Sequence, residues 1–168
     1  WVNLMYEYAI TNIFAPWIQL KNINMSGENP NKEMYAIAQI SKIMGLHRST
    51  DKFGPIPYKQ VGNGSFTVEY DSQESVYRSF FEELDEAVTV LYDFYMKANN
   101  TVPMASDVVY EGDVTKWIRL ANSLMLRLAI RVRYADEVLA RTYAEKAIKN
   151  PIGVMESIDD MAKMNRGA

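Results

Sequence analysis

Apolar residues recur every three or four positions along most of the chain, which is the spacing of one face of an α-helix. This pattern predicts five helices, over residues 1–24, 29–44, 72–97, 113–132 and 136–149. The third helix is the most regular, with an apolar stripe that runs through Tyr77, Phe80, Phe81, Leu84, Val88, Leu91 and Tyr95. We therefore expect an all-α fold of tetratricopeptide-like stacked helix pairs, an α-α superhelix, with one long extended loop.

Cap and breaker residues indicate where these helices begin and end. Asn29 and Pro30 suit the N-cap and the first position of the second helix, and Gly45 is expected to end it. Pro16 lacks the N–H that a helix interior requires, so we expect the first helix to kink or restart there. Asp113 is expected to cap the fourth helix. The polar residues that follow the fifth helix are expected to be loosely ordered.

The helical pattern fails between residues 46 and 70. The segment Gly54-Pro55-Ile56-Pro57-Tyr58 cannot be helical, and the turn Gly62-Asn63-Gly64 follows it. A loop of this length is either functional or packed against the domain. Tyr58 and Tyr70 flank its irregular part and are candidate ligand platforms, because flat aromatic rings stack against sugar rings. The alternative is that both rings pack internally.

Two further predictions concern the third and fourth helices. We expect them to form an antiparallel pair, which would bury Phe81 and Leu124. Arg127 and Arg131 lie one turn apart among core leucines, so we expect both guanidinium groups to be partly buried against acids or carbonyls of neighbouring helices. The alternative is that they face an anionic ligand such as an acidic sugar.

Composition narrows the class of protein. Eighteen basic residues against 21 acidic residues give a net charge of −3, so the chain lacks the basic surface that a nucleic-acid partner requires. Cysteine is absent, which excludes disulfides and thiolate chemistry. No apolar run approaches the ~20 residues of a membrane-spanning helix. The 168 residues begin inside a helical pattern without an initiator Met, so we expect residues 1–168 to be a single helical scaffold region within a larger domain.

Three stretches of the sequence carry a family pattern. They are GPIPY at residues 54–58, DSQESVYRSFFEELDEA at residues 71–87 and YEGDVTKWIRLANSLMLRLAIR at residues 110–131. In this order they resemble the SusD/RagB family of bacterial outer-membrane nutrient-binding lipoproteins. The residues that carry the resemblance as structural motif positions are Gly54, Pro57, Tyr58, Asp71, Gln73, Tyr77, Leu84, Gly112, Asp113, Trp117, Asn122, Arg127 and Arg131.

The resemblance implies a function as well as a fold. Members of the family are helical, non-catalytic surface lipoproteins that bind oligosaccharides or peptides and need no cofactor. They act with a TonB-dependent (SusC-like) transporter of the outer membrane. They are attached to that membrane only through a lipid anchor. The resemblance implies that this chain is an internal fragment of such a protein. Much of the ligand-binding surface is expected to lie outside it.

Two other classes of function are compatible with single features of the chain. A helical-repeat adaptor would also use stacked helix pairs to bind other proteins. A glycoside hydrolase would need a pair of carboxylates across the scissile bond, and the acids of the third helix lie on one helical surface instead: Glu82, Glu83, Asp85 and Glu86. His47, the single histidine, is interpreted as an ordinary loop residue, and we predict no catalytic residue and no metal site.

Overall fold

The computed structural model describes residues 2–26, 29–65, 67–97, 101–102 and 107–164. Within these ranges the protein consists of five α-helices and one 3₁₀ turn, and it contains no β-strand. The helices are α1 (Val2–Ser26), α2 (Lys32–Phe53), α3 (Gln73–Met96), α4 (Val114–Val132) and α5 (Glu137–Lys149), and the 3₁₀ turn is Ile158–Asp160. The predicted all-α fold with one long loop between α2 and α3 is confirmed.

The chain divides into two compact units, Trp1–Glu83 and Leu84–Ala168, called unit 1 and unit 2 below. In unit 1, α1 packs along α2. In unit 2, α4 packs along α5 and also contacts the 3₁₀ turn. Helix α3 is continuous across the boundary between the units. The helix pairs agree with the expected repeat architecture, and the assignment of residues 1–168 to one scaffold region stays a prediction.

Two helix boundaries in unit 1 differ from those expected. Helix α1 continues through Pro16 and does not restart there, and a kink at this proline stays a prediction. Pro16 and Asn12 are both exposed, so water can bind the Asn12 carbonyl that has lost its helical donor. Helix α2 is capped by Asn31 and not by Asn29, because the Asn31 side chain accepts a hydrogen bond of 2.8 Å from the backbone N–H of Met34.

Helix α2 also continues past its predicted end. Gly45 lies in its interior, where a Cβ atom would come within 2.6 Å of Ile13 Cδ1 on α1, so this glycine allows the two helices to approach closely. The helix ends at Gly54, which has a φ of +77°. The extra turns correct the interpretation of His47, which is buried in α2 with Nδ1 3.2 Å from the Ile43 carbonyl oxygen.

Helix α3 has nearly its predicted bounds. The Ser72 side chain accepts a hydrogen bond of 3.2 Å from the Ser75 N–H and thereby caps the helix. The predicted stripe is buried at Tyr77, Phe80, Phe81, Leu84, Val88 and Leu91. Burial of Phe81 and Leu124 agrees with the sequence interpretation, and the antiparallel pairing of α3 with α4 stays a prediction.

Unit 2 confirms the predicted cap of α4 and corrects the predicted tail. Asp113 accepts hydrogen bonds from the first turn of α4, and Asp136 does the same for α5. The segment after α5 is held against α4, because Asp160 receives the guanidinium group of Arg119 at 2.8 Å and the hydroxyl of Tyr110 donates to the Asp160 carbonyl at 2.5 Å. The segment that follows α5 is therefore held at Asp160 and is not loosely ordered there, and residues 165–168 lie outside the described residues.

Candidate functional site

Asp71 closes the loop between α2 and α3. Its backbone forms an antiparallel bridge with Ile56, through hydrogen bonds of 2.9 and 3.2 Å. Its carboxylate oxygen Oδ2 accepts hydrogen bonds from the backbone N–H groups of Tyr58 and Lys59, at 3.1 and 2.9 Å. These bonds fix the direction in which the chain leaves Gly54 and hold Tyr58 in place.

Other residues of the first two motif stretches tie the same loop to the end of α2. The Gln73 side chain donates a 2.7 Å hydrogen bond to the carbonyl of Thr50. The Tyr77 hydroxyl donates to the Asp51 carboxylate, and Pro57 is half-buried in the loop. These motif positions have structural contacts, which is the role that the sequence analysis assigned to them.

Tyr58 is a packing residue in this structure. Only 4% of it is exposed, and its ring makes edge-to-face contacts with Phe14 and Phe80 at centroid distances of 5.9 and 5.2 Å. Its hydroxyl donates a 2.5 Å hydrogen bond to Glu83 Oε2. Burial, with the negative charge of Glu83 beside it, raises the pKa of Tyr58 well above its usual value. The ring presents no open face, so the geometry fits packing and does not fit a ligand platform.

The same cluster contains a buried cation that the sequence analysis missed. The side chain of Lys42 is 2% exposed, and its Nζ lies 2.8 Å from Glu83 Oε2. The ammonium group also faces the Trp17 ring at 4.1 Å and the Tyr58 ring at 4.5 Å from their centroids. Burial lowers the pKa of Lys42, and Glu83 opposes that shift. The available signal was a lysine that shares the middle of α2 with Ile40 and Ile43.

Tyr70 has the accessible ring that a platform requires. It is 62% exposed and stacks on Tyr6, with centroids 6.3 Å apart and ring planes within 2°. Tyr6 contacts Phe53 edge to face at 5.4 Å. An exposed ring supported from behind can stack against the C–H face of a sugar. Tyr6 could not be assigned to this site from sequence, because it lies on α1, 64 residues before Tyr70.

Asp107 organises the motif residues at the start of α4. Its Oδ2 atom accepts hydrogen bonds from Trp117 Nε1 at 2.7 Å and from the Gly112 N–H at 2.8 Å. Its Oδ1 atom accepts from the N–H groups of Val109 and Tyr110. Burial favours a raised pKa for Asp107, but these donors outweigh it and the pKa lies below its usual value. Asp107 was not recognised from sequence, since its partners converge only after folding.

The arginines of α4 do not occupy the predicted places. Arg127 and Arg131 are both exposed, so their predicted partial burial is wrong. The α4 arginine that contacts other parts of the fold is instead Arg119, which is paired with Asp160 and donates a hydrogen bond to the Ile152 carbonyl at 3.4 Å. Eight residues along a helix amount to about 80° beyond two full turns, so Arg119 and Arg127 face different directions.

Unit 2 also contains a cleft between α3, α4 and α5 with a volume of about 270 Å³. It is lined by Asp85, Val88, Thr89, Tyr92, Asn122, Met125, Lys146, Lys149 and Asn150. Lys146 Nζ lies 2.5 Å from Asp85 Oδ2, and the Asn122 side chain donates a 2.8 Å hydrogen bond to the Gly153 carbonyl. Sequence reasoning missed this cleft because its charged residues lie on helix faces typical of solvated surface.

The paired helices in each unit define an all-α protein of the tetratricopeptide-like class. The chain belongs to the SusD-like family, described as SusD and RagB outer membrane lipoproteins, whose model matches residues 1–168. None of the curated proteins matches the chain. In the described part, no helix has both the length and the apolar character to cross a bilayer.

Solved structures agree with this family. A chitin-binding SusD homologue from Flavobacterium johnsoniae is 37% identical with a TM-score of 0.87, over 95% of this chain and 33% of that one. A SusD homologue from Bacteroides uniformis is 39% identical with a TM-score of 0.80, over 92% of this chain and 31% of that one. A SusD-like protein from Bacteroides thetaiotaomicron is 31% identical with a TM-score of 0.83, over 96% and 32% of the two chains. The chain thus spans about a third of the length of these relatives.

Proposed function

We propose that this chain is the helical scaffold of a non-catalytic nutrient-binding protein of the outer membrane, and that its nutrient is an oligosaccharide. Membership of the SusD-like family, together with 37% identity to a chitin-binding homologue, carries this proposal. The protein would be part of a longer chain, anchored to the cell surface by a lipid and paired with a TonB-dependent transporter. Its ligand would be delivered to that transporter unchanged.

Two features of the described residues support a binding role over hydrolysis. Tyr70 offers an exposed, stacked ring of the kind that sugar-binding surfaces use. Two of the α3 acids already have partners, because Glu83 contacts Lys42 and Tyr58 while Asp85 contacts Lys146. A glycosidase needs a general acid and a second carboxylate that are both directed at the substrate.

Binding of chitooligosaccharides to the full-length protein, measured by isothermal titration calorimetry, tests the proposed ligand class. We expect Tyr70→Ala to weaken binding by about tenfold if the ring stacks on the sugar. Tyr134→Ala is the matched control, since Tyr134 is 90% exposed in unit 2. Release of reducing ends during the incubation would contradict a non-catalytic role. Binding of tryptic peptides with no binding of glycans would replace the oligosaccharide by a peptide.

Purification of the full-length protein from detergent-extracted outer membranes tests the proposed partner and location. We expect a TonB-dependent transporter to co-purify, and we expect added protease to digest the protein on intact cells. A protein recovered alone from a soluble fraction would contradict both parts. The helical-repeat adaptor alternative would gain support if soluble proteins co-purified in place of a transporter.

A further inference from the structure

The cleft between α3, α4 and α5 has an apolar floor that the family motifs do not explain. Val88 and Met125 are buried beneath it, and the half-buried ring of Tyr92 forms one wall. Surfaces of this type pack against the C–H face of a pyranose ring. The volume of about 270 Å³ lies just below the range of roughly 300–1,000 Å³ for small-molecule pockets, so the cleft suits one sugar residue and not a long segment.

Polar residues line the same cleft. Asn122 is buried and its amide is oriented by the hydrogen bond to the Gly153 carbonyl. The Thr89 hydroxyl donates to the Asp85 carbonyl at 2.8 Å, and its oxygen remains an acceptor. Asn150 also lines the cleft, and its side-chain oxygen accepts a hydrogen bond from the Ile152 N–H at 3.0 Å. Amides and hydroxyls provide the donors and acceptors that hydroxyl recognition requires.

The charges of the cleft favour an anion. Lys146 and Lys149 line it together with one acid, Asp85, which is already bound by Lys146. Lys149 is paired at 2.7 Å with Glu145, and both side chains are exposed. Exposed ion pairs contribute little to stability, so a ligand carboxylate can replace Glu145 as the partner of Lys149 at small cost.

We propose that this cleft binds a single hexuronate residue, with the C–H face of the sugar on Val88, Met125 and Tyr92 and its carboxylate at Lys149. This inference rests on the proposed function, because it adds acidic glycans to the ligands of the same binding protein. The apolar floor accounts for the ring, the amides and Thr89 for the hydroxyls, and Lys149 for the carboxylate.

Titration of the full-length protein with D-glucuronate and with D-glucose, followed by nuclear magnetic resonance, tests the cleft. We expect glucuronate to bind more tightly than glucose, and we expect Thr89→Tyr, which fills the cleft, to weaken glucuronate binding by about tenfold. Thr142→Tyr is the matched control, since the Thr142 hydroxyl donates to the Val138 carbonyl at 2.8 Å in the same way but does not line the cleft.

A charge variant keeps the test decisive if Thr89→Tyr does not fold. Lys149→Gln is expected to remove most of the preference for glucuronate over glucose, and Lys163→Gln, at an exposed lysine of the same unit, is expected to preserve it. Equal binding of the two sugars by the unmodified protein, or unchanged glucuronate binding in Thr89→Tyr, would overturn the inference. If glucuronate fails these tests while chitooligosaccharides still bind, the inference about the cleft is wrong and the proposed function stands. If chitooligosaccharides do not bind while glucuronate binds in the cleft, the proposed chitooligosaccharide ligand is wrong and the cleft inference stands.

Discussion

The positively charged side chain of Lys42 is buried in the core of unit 1, and one residue, Glu83, stabilises it there. Its ammonium group has Glu83 at 2.8 Å and two aromatic rings within 4.5 Å. Removing water from a charge is costly, and the carboxylate partner offsets that cost. The cluster therefore depends on Glu83 more than on either ring, because only Glu83 supplies an opposite charge.

Glu83→Gln is expected to lower the free energy of unfolding by ~3 kcal/mol, since it leaves the Lys42 ammonium buried without its counter-charge. Glutamine can still accept the hydrogen bond from the Tyr58 hydroxyl, so the change isolates the charge. Glu82→Gln, at an exposed neighbouring position, should change the same free energy by less than about 0.5 kcal/mol. Urea denaturation followed by circular dichroism measures both. Equal midpoints for the two variants would show that the buried pair does not stabilise the fold.

At the scale of secondary-structure elements, the sequence predicted what depends on local chemistry. The cap at Asp113 and the long stripe of α3 depend on side chains within one or two turns of each other. The end of α2 could not be predicted in this way, because Gly45 is tolerated inside the helix for the sake of a close contact with Ile13 on another helix.

The candidate sites depended even more on contacts that the helical period does not describe. Tyr58 and Tyr70 were equivalent in sequence, and only the folded loop separates the buried ring of Tyr58 from the exposed ring of Tyr70. Asp107 gathers four donors, three of which lie in the turn before α4 and one on α4 itself. Such convergence has no periodicity, so a pattern of apolar and polar positions does not reveal it.

Alanine substitutions at two glycines that flank the paired helices of unit 2 separate the effect of backbone strain from that of steric overlap. Gly112 and Gly153 have φ values of +80° and +81°, so alanine is strained at both positions by about 1–2 kcal/mol. A Cβ at Gly112 would also lie 2.2 Å from the Val102 carbonyl oxygen, whereas at Gly153 its first neighbour is 3.9 Å away. We expect Gly112→Ala to lower the unfolding midpoint in urea clearly more than Gly153→Ala. Matching midpoints would mean that segment 101–102 moves aside freely.

At the scale of the whole molecule, unit 2 is closed by a chain segment that returns to α4 after α5. Asp160 is the centre of this closure, since its Oδ2 atom accepts from the N–H groups of Glu156 and Ser157 and its Oδ1 atom receives Arg119. The Asp160 carboxylate is buried among these donors. Closure of unit 2 therefore requires this carboxylate in its charged form.

Acid is thus expected to destabilise unit 2 in a defined range of pH. The hydrogen bond from the Glu156 N–H, followed by that from Arg119, lowers the pKa of Asp160 from 3.8 to about 2. Because the folded pKa lies below the unfolded pKa, this stabilisation is fully present above pH 3.8 and is lost as the pH falls through about 2. In urea denaturation at a series of pH values, Asp160→Asn should be less stable than the unmodified protein at pH 7 and should depend less on pH within this range. Asp159→Asn, at the exposed neighbouring position, should retain the pH dependence of the unmodified protein. If the stability of Asp160→Asn changes with pH in parallel with that of the unmodified protein, another group is responsible for the destabilisation by acid.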